Sequence, residues 1–271
     1  MDPSQKALLF QALHVGGGAL LLPNAWDAVS ARMLEQAGFP AIATASAAIA
    51  LAHGVADGEQ VSRDAMVRAI ARIAGAVSVP VSADMESGYG ESPDEVAETT
   101  RRVIGAGAVG VNIEDQVDHV RLRPIAEMAA RIAAARRAAE AEGIELYING
   151  RIDACLIGMD GDAAYEEILA RAEAYLGAGA SGIFVITADM ELIGRVAARI
   201  EAPLNVLAMD AAMPPLSQLA ALGVRRVSTG PRLMQLMMGH LLADATRMLE
   251  DGRFDVLAGA LSYADLEIGA E

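Results

Sequence analysis

Residues 104–115 read IGAGAVGVNIED, and the order of residue types in this stretch indicates the fold class. It runs from the end of an Ala-rich amphipathic segment through Gly107 into a short aliphatic run that finishes in polar residues. Glycine suits the left-handed backbone conformation that ends a helix, and a continuous aliphatic run suits a strand buried on both faces. The stretch therefore predicts a helix followed at once by a strand of a parallel sheet.

The same pattern recurs along the chain. It appears as LEQAGFPAIATAS at 34–46, LGAGASGIFVIT at 176–187 and LAALGVRRVSTG at 219–230, and the runs ALLLPNAW, VPVSADME, ELYINGR and LNVLAM add four strand candidates. The eight strands are expected near 19–23, 41–46, 79–84, 109–114, 145–151, 182–186, 204–208 and 225–229. Each is separated from the next by enough residues for a helix. Eight strands alternating with helices predict the α/β fold class and, within it, a (β/α)8 TIM barrel.

Length and composition suit one such barrel. With 271 residues, of which 54% are hydrophobic, the chain can bury a large core, and we expect a single domain over 1–271. After the eighth strand, residues 232–249 and 254–268 predict amphipathic helices that form a C-terminal extension from about 232. The first carries Met234, Met237 and Met238 on or beside an apolar face, which suits either packing against the barrel or a subunit interface.

Charge and composition exclude several classes of function. The formal net charge is −15 and the pI is about 4.7, so most of the surface should repel nucleic acid phosphates. No uncharged apolar run is long enough to span a membrane, and residues 1–10 lack the basic flank and cleavage site of a signal peptide, so we expect a cytoplasmic protein. The single cysteine, Cys155, excludes an internal disulfide and a cysteine-based zinc site, and nothing basic beside it favours a reactive thiolate.

Acidic residues follow two neighbouring predicted strands at their carboxyl ends, where barrel enzymes carry their catalytic groups. The period of two along a strand places Asp84 and Glu86 on one face of the third strand, and Asn112 and Glu114 on one face of the fourth. Three close carboxylates repel unless a cation neutralises them, and Mg2+ prefers oxygen ligands completed by water. The cluster predicts a divalent metal site. The alternative is that these acids pair with arginines or cap helices.

Two other strand ends suggest an anion site. The fifth strand places Asn149, Arg151 and Asp153 on one face, so the Arg151 guanidinium could bind a carboxylate through two nitrogens. A structural pair of Arg151 with Asp153 is the alternative. The second strand ends in Thr44-Ala45-Ser46-Ala47, small residues that let backbone N–H groups and a hydroxyl approach an anion closely.

Two histidines also follow predicted strands, His53 after the second and His119 after the fourth. Each suits a solvated loop position. His119 could in addition reach the site from a lid and transfer a proton, so it is a candidate catalytic residue.

These motifs resemble those of the isocitrate lyase and phosphoenolpyruvate mutase superfamily, along about 230 residues from Leu20 onward. The segment 84–90, DMESGYG, resembles the family's D-x-D-x-G-Y-G motif, Glu114-Asp115 resembles its E-D after strand four, and Arg151 resembles its strand-five arginine. The positions that match the metal site, where Mg2+ or Mn2+ is held directly or through water, are Asp57, Asp84, Glu86 and Glu114. The positions that match the substrate site are Ser46 and Ala47 for the substrate carboxylate, Arg151 for its reacting end, and Asn205 as a further pocket candidate.

Two departures from the family pattern bear on the chemistry. Glu86 replaces an aspartate and reaches one methylene further, which can shift a ligand between direct and water-mediated contact. Residues 116–124 read QVDHVRLRP where the lyases carry a K-[KR]-C-G-H lid whose cysteine transfers the proton, so isocitrate and methylisocitrate lyase activity are disfavoured. His119, or Asp118 with Arg121, could supply proton transfer and charge from this shorter lid.

The resemblance implies a Mg2+-dependent enzyme that breaks a carbon–carbon bond in a small 2-oxo or 2-hydroxy acid through an enolate, as a lyase or decarboxylase. Two alternatives remain open: carbon–phosphorus chemistry on phosphonopyruvate, and a 2-oxo acid binding protein without turnover. Members of the superfamily exchange a helix after strand eight, which implies a homo-oligomer, a dimer or tetramer, formed through residues 232–249.

Overall fold

The computed structural model describes residues 1–266, and its centre is a parallel sheet of nine strands. The strands of the chain are β1 (Leu20–Leu22), β2 (Asn24–Ala25), β3 (Ile42–Thr44), β4 (Val81–Asp84), β5 (Gly110–Glu114), β6 (Gln116–Val117), β7 (Arg121–Leu122), β8 (Tyr147–Ile152), β9 (Gly182–Val185), β10 (Leu204–Leu207) and β11 (Val224–Ser228). The sheet runs in the order β1-β11-β10-β9-β8-β5-β4-β3-β2, and β6 and β7 form a separate antiparallel hairpin. All eight predicted strands are present, with ends within two residues of the predicted ones.

The sheet closes into a barrel through the first predicted strand, which is divided at Pro23. β1 pairs with β11 and β2 pairs with β3, so one extended stretch joins the two edges of the sheet. The Pro23 carbonyl still accepts a hydrogen bond from an N–H of β3 (2.8 Å). Asn24 completes the seam, because its Oδ1 accepts from the backbone N–H groups of Thr229 and Gly230 (both 2.9 Å). Its Nδ2 donates to the Thr44 carbonyl (2.7 Å). The nine strands therefore occupy eight positions, and the predicted TIM barrel is confirmed.

Helices surround the barrel. The α-helices are α1 (Pro3–Val15), α2 (Ala28–Gln36), α3 (Ser46–Ala52), α4 (Arg63–Gly75), α5 (Pro93–Gly105), α6 (Ile125–Ala141), α7 (Gly161–Gly177), α8 (Met190–Ala197), α9 (Leu216–Ala221), α10 (Arg232–Asp251) and α11 (Tyr263–Leu266). Helix α5 begins with a reciprocal cap, in which Ser92 Oγ accepts from the Glu95 N–H (3.3 Å) and the Glu95 carboxylate accepts from the Ser92 N–H (3.0 Å). Gly107, with a φ of 97°, returns the chain from α5 towards β5, as the stretch 104–115 predicts.

Helix α1 packs against the barrel strands near their amino-terminal ends and was not among the predicted elements. Phe10 lies against Gly110, where a Cβ atom would come within 2.6 Å of the Phe10 ring. The His14 imidazole stacks on Tyr147 with ring centroids 3.9 Å apart. Phe10 and Tyr147, with aliphatic residues of β1 and β3, form a small core that is distinct from the larger one between barrel and helices.

The C-terminal extension begins where it was predicted and continues differently. Helix α10 confirms the helix predicted over 232–249 and leaves Leu241 and Leu242 more than half exposed. The single helix predicted over 254–268 is wrong within the described residues, since a 3-10 helix (Asp255–Gly259) and the short α11 take its place, and residues 267 and 268 lie outside them. Ser262 is the reason, because its side chain accepts from the Asp265 N–H (3.2 Å) and so begins a new helix. No helix within residues 1–266 is long and apolar enough to cross a membrane.

The buried His14 makes a prediction about stability. Burial lowers its pKa to about 3, and the charge of Arg226 acts in the same direction. Because this pKa lies below that of an unfolded histidine, protonation favours the unfolded state. The stabilising contribution is therefore complete above pH 6.5 and is lost as the pH falls from there towards 3.

We expect the free energy of unfolding, measured by urea denaturation across this range, to fall as the pH falls. His14 should contribute up to roughly a tenfold change in the unfolding constant per pH unit. His14→Phe, which keeps a ring against Tyr147, should remove this part of the slope, whereas His240→Gln on the exposed face of α10 should retain it. Equal slopes for wild type and His14→Phe would contradict the assignment.

Candidate active site

Asp84, the last residue of β4, is fixed at the carboxyl end of the barrel with one oxygen engaged. Its backbone N–H donates to Thr44 Oγ1 (2.9 Å), and its Oδ2 accepts from the Ser46 hydroxyl (2.9 Å) and, more distantly, from the Ser46 N–H (3.4 Å). Its Oδ1 is buried and accepts no hydrogen bond from any residue between 1 and 266. The side chain is therefore held in place while one carboxylate oxygen stays available to a ligand.

Asp57, in the loop after α3, presents a second unsatisfied oxygen. Its Oδ1 is likewise buried, with no donor among the residues that the structure describes. Burial raises the pKa of Asp57, and the charge of Asp84 raises it further. Two carboxylates that repel each other in a buried site favour a bound cation.

Glu86 lies in the tight turn after β4, and both of its carboxylate oxygens accept hydrogen bonds from the chain. Its backbone has a φ of 51°, in the left-handed region that glutamate seldom adopts. Its Oε2 accepts from the backbone N–H groups of Gly58 (3.0 Å) and Glu59, and its Oε1 accepts from the Tyr89 hydroxyl. Burial raises the pKa of Glu86 to about 7 despite these hydrogen bonds, which lower it.

Arg151 and Glu114 form a buried ion pair on the adjacent strands β8 and β5. Arg151 Nη1 lies 2.5 Å from Glu114 Oε2, and Arg151 Nε donates to Asp153 Oδ1 (2.8 Å). Burial raises the pKa of Glu114 well above its ordinary value, although the charge of Arg151 opposes this. The structural Arg151–Asp153 pair is therefore present, and the same guanidinium also lines a cavity at the barrel mouth.

Asp115, next to Glu114, holds the end of β8 in position. Its Oδ1 accepts from the Asp153 N–H (2.9 Å), and its Oδ2 accepts from the Tyr175 hydroxyl (2.6 Å) and from Arg171 Nη1 (3.1 Å). Sequence analysis missed Arg171 and Tyr175, since both lie on α7 and no local motif connects them to β5. The E-D pair at the end of β5 was the only available signal for this network.

The lid predicted after the fourth barrel strand is the short hairpin of β6 and β7. Gln116 Nε2 donates to Glu114 Oε1 (2.8 Å), and Gln116 Oε1 lies 3.0 Å from Nδ1 of His119. His119 lines a cavity of about 370 Å3 together with Asp57, Glu86 and Glu114. His53, by contrast, lies at the end of α3 and its Nδ1 contacts the Ile49 carbonyl (2.9 Å).

A second cavity, of about 250 Å3, lies over the centre of the barrel mouth. Its lining includes Asn24, Ser46, Ala47, Asp57, Asp84, Asn112 and Arg151, together with Leu156, Phe184, Ile186, Leu207, Met209, Ser228 and Pro231. Thr44 and Asn205 are buried beneath it. Thr44 acts on the cavity through Asp84, and Asn205 Nδ2 contacts Ser228 Oγ (3.3 Å). Sequence analysis missed Asn24 and the apolar part of this lining.

The acids do not form a complete set of direct metal ligands. Within residues 1–266, no group of three His, Cys, Asp or Glu side chains is arranged to bind one ion. Glu86 contacts Tyr89 and Glu114 contacts Arg151, so contact of these two acids with an ion through water, which the resemblance allows, stays a prediction. Mg2+, however, needs only one or two protein carboxylates and completes its octahedron with water and substrate oxygens. The unsatisfied oxygens of Asp84 and Asp57 fit such a hydrated ion.

Comparison with known proteins shows the family of the chain. The family model described as Phosphoenolpyruvate phosphomutase matches residues 10–249. An uncharacterized protein of Mycobacterium tuberculosis (strain CDC 1551 / Oshkosh) is 32% identical over 259 residues, which cover 95% of this chain and 94% of that protein. The 2-methylisocitrate lyase of Bacillus subtilis (strain 168) is 29% identical over 205 residues, which cover 72% of this chain and 64% of that enzyme.

A crystal structure from Burkholderia cenocepacia J2315, provisionally assigned as a lyase or mutase, superposes with a TM-score of 0.90 at 38% identity, covering 97% of this chain and 95% of that one. The match of the family model spans nearly the whole barrel and extends into α10. The chain therefore belongs to the phosphoenolpyruvate phosphomutase family, within the isocitrate lyase and phosphoenolpyruvate mutase superfamily.

Proposed function

We propose that this protein is a lyase, dependent on Mg2+ or Mn2+, that breaks a carbon–carbon bond in a small 2-oxo or 2-hydroxy acid through an enolate. The Asp84 side chain carries the proposal. Ser46 holds one of its oxygens, the other is buried without a donor in the described part of the chain, and Arg151 lines the same cavity. A carboxylate available to a cation beside a guanidinium suits a ligand that carries both a carbonyl and a carboxylate.

In this proposal one group of residues binds the metal ion and another binds the substrate. Asp84 and Asp57 would hold the ion, and Glu86 and Glu114 would add negative charge around its water ligands. The ion, when bound, stabilises negative charge on the carbonyl oxygen of the substrate. Ser46 and Ala47, the first residues of α3, would bind the substrate carboxylate, with Thr44 and Asn205 supporting the cavity from beneath.

Arg151 is suited to the reacting end of the substrate. Its Nε and Nη1 are committed to Asp153 and Glu114, which fixes the plane of the guanidinium where it meets the cavity. When a bond to carbon 3 of a 2-oxo acid breaks, the electron pair moves onto the carbonyl oxygen to give an enolate, and carbon 3 then takes up a proton. A fixed cation beside that oxygen favours the enolate over the starting acid.

The first experiment is a turnover screen followed by NMR, with Mg2+ and with EDTA in its place. The acids are isocitrate, methylisocitrate, oxaloacetate, dimethylmalate and phosphonopyruvate. We expect metal-dependent carbon–carbon cleavage of one of them, and Asp84→Asn should lower its kcat/KM by about 100-fold or more because the ion loses its fixed ligand.

Asp94→Asn, an exposed substitution in the first turn of α5, is the matched control and should keep full activity. Cleavage of phosphonopyruvate instead would replace carbon–carbon by carbon–phosphorus chemistry. Binding of pyruvate without turnover of any acid would indicate a binding protein.

We also propose that His119 transfers the proton, since it lines the 370 Å3 cavity with Asp57, Glu86 and Glu114. His119→Ala should lower kcat by roughly 100-fold or more, the usual contribution of a general acid or base, while KM changes little. His53→Ala, at the end of α3, should leave kcat unchanged. A His119→Ala enzyme with wild-type kcat would exclude this role.

Finally, we propose that the chain acts as one barrel domain that associates into a dimer or tetramer through its helical extension. Helix α10 leaves Leu236, Leu241 and Leu242 exposed by 58%, 62% and 71%, so large apolar side chains meet solvent on more than one side of this helix, which favours its burial between subunits. Leu241→Glu should reduce the mass measured by light scattering to that of a monomer, whereas Leu8→Glu, on the exposed side of α1, should not. A monomeric wild-type protein would contradict this proposal.

A further inference from the structure

The barrel mouth has two chemically different halves. When β1 and β2 are counted as one position, β9 lies four positions from β3 around the eight-position barrel, and β10 lies four positions from β4. The ends of β9 and β10 are thus directly across the cavity from Ser46 and Asp84. When a ligand is held at β3 and β4, a substituent that extends across the cavity reaches the ends of β9 and β10.

The half across from the carboxylates is lined by hydrocarbon. Phe184 and Ile186 come from the end of β9, and Leu207 and Met209 come from the end of β10 and the loop after it. Phe184 and Ile186 are nearly fully buried, so their faces form a wall rather than a mobile rim. The Phe184 ring lies 5.8 Å from the Arg151 guanidinium carbon and marks the border between the two halves.

The cations near the cavity do not serve this wall. Arg151 lies over the ring of Phe184, at one edge of the wall, and its Nη1 and Nε are already paired with Glu114 and Asp153. Arg232 touches the cavity at its rim, is exposed, and donates through Nη1 to Gln235 (2.9 Å). A carboxylate placed against Ile186, Leu207 and Met209 would therefore lose its water without gaining a paired cation, which is costly, whereas an alkyl group would gain by burial.

We propose that the substrate carries a short alkyl substituent on its reacting carbon, and that this substituent is held between Phe184, Ile186, Leu207 and Met209. The inference rests on the proposed function for the orientation of the ligand, with its carboxylate at Ser46 and Ala47. A cavity of about 250 Å3 is near the low end for ligand sites, so the alkyl group has few carbons. The apolar half then selects alkyl-substituted acids over unsubstituted ones and over acids with an additional charge at that position.

The test measures binding by isothermal titration in the presence of Mg2+, using pyruvate, 2-oxobutanoate, 2-oxopentanoate and 2-oxoglutarate. Each methylene added from pyruvate to 2-oxopentanoate should lower Kd by about fourfold, the value for burial of one methylene. 2-Oxoglutarate, which replaces the terminal methyl of 2-oxopentanoate by a carboxylate, should bind at least about tenfold more weakly than 2-oxopentanoate.

The possible failures are distinguishable. A flat series, or tighter binding of 2-oxoglutarate than of 2-oxopentanoate, overturns the inference and leaves the proposed function intact, because pyruvate still binds. Absence of binding for every acid, pyruvate included, overturns both.

A pair of variants locates the alkyl group. Met209 is half-buried and lies beyond the end of β10, so Met209→Lys can be accommodated without disrupting the core. Met209→Lys should raise the Kd of 2-oxopentanoate and lower the Kd of 2-oxoglutarate, so that 2-oxoglutarate becomes the tighter ligand. Met209→Leu should preserve the wild-type order of the two Kd values. An unchanged order and affinity in a folded Met209→Lys protein, verified by circular dichroism, would overturn the inference.

Discussion

An excess of buried negative charge at one side of the barrel mouth constrains the rest of the site. Five acids converge on this region: Asp57, Asp84, Glu86, Glu114 and Asp153. Within residues 1–266, Arg151 is the cationic side chain that forms salt bridges with members of this group, namely Glu114 and Asp153. Backbone N–H groups, the Ser46 hydroxyl and the Tyr89 hydroxyl offset part of this charge. Asp84, whose Oδ1 remains unsatisfied, is fixed by Ser46 and Thr44, so a divalent ion would meet at least one ligand already held in place.

Much of this arrangement follows from the sequence because the strand ends are marked locally. A glycine after an amphipathic segment indicates where four of the eight strands begin. The polar residues that end the aliphatic runs then place Asp84 and Glu114 at the mouth of adjacent strands. Helix α1 could not be anticipated in the same way, since its role depends on Phe10 packing against Gly110, a hundred residues further along the chain. The predicted second C-terminal helix failed because Ser262 caps a new helix within an apolar pattern.

Other features of the site depend on distances that no local pattern encodes. The left-handed backbone of Glu86 turns its carboxylate towards Gly58 and Glu59, although the spacing from Asp84 predicts that both acids share a face. The apolar wall of the cavity could not be predicted either, because Phe184 and Leu207 lie in strands, where hydrophobic residues ordinarily indicate a buried core. Only the closure of the barrel brings these strands across from the carboxylates and turns part of the core pattern into a ligand-binding surface.

The pairing of the first strand with the last also affects the order in which the barrel can fold. Asn24 and Thr229 are 205 residues apart, and their contact joins the first strand to the last. During synthesis from the amino terminus, one edge of β1 therefore has no partner until β11 has emerged, and the loop that must be closed is nearly the whole chain. Such an edge can pair with another chain in the meantime, so this seam is the point at which an incomplete barrel is exposed to aggregation. Asn24 thus joins the two edges of the sheet in the last step of barrel closure and also lines the cavity.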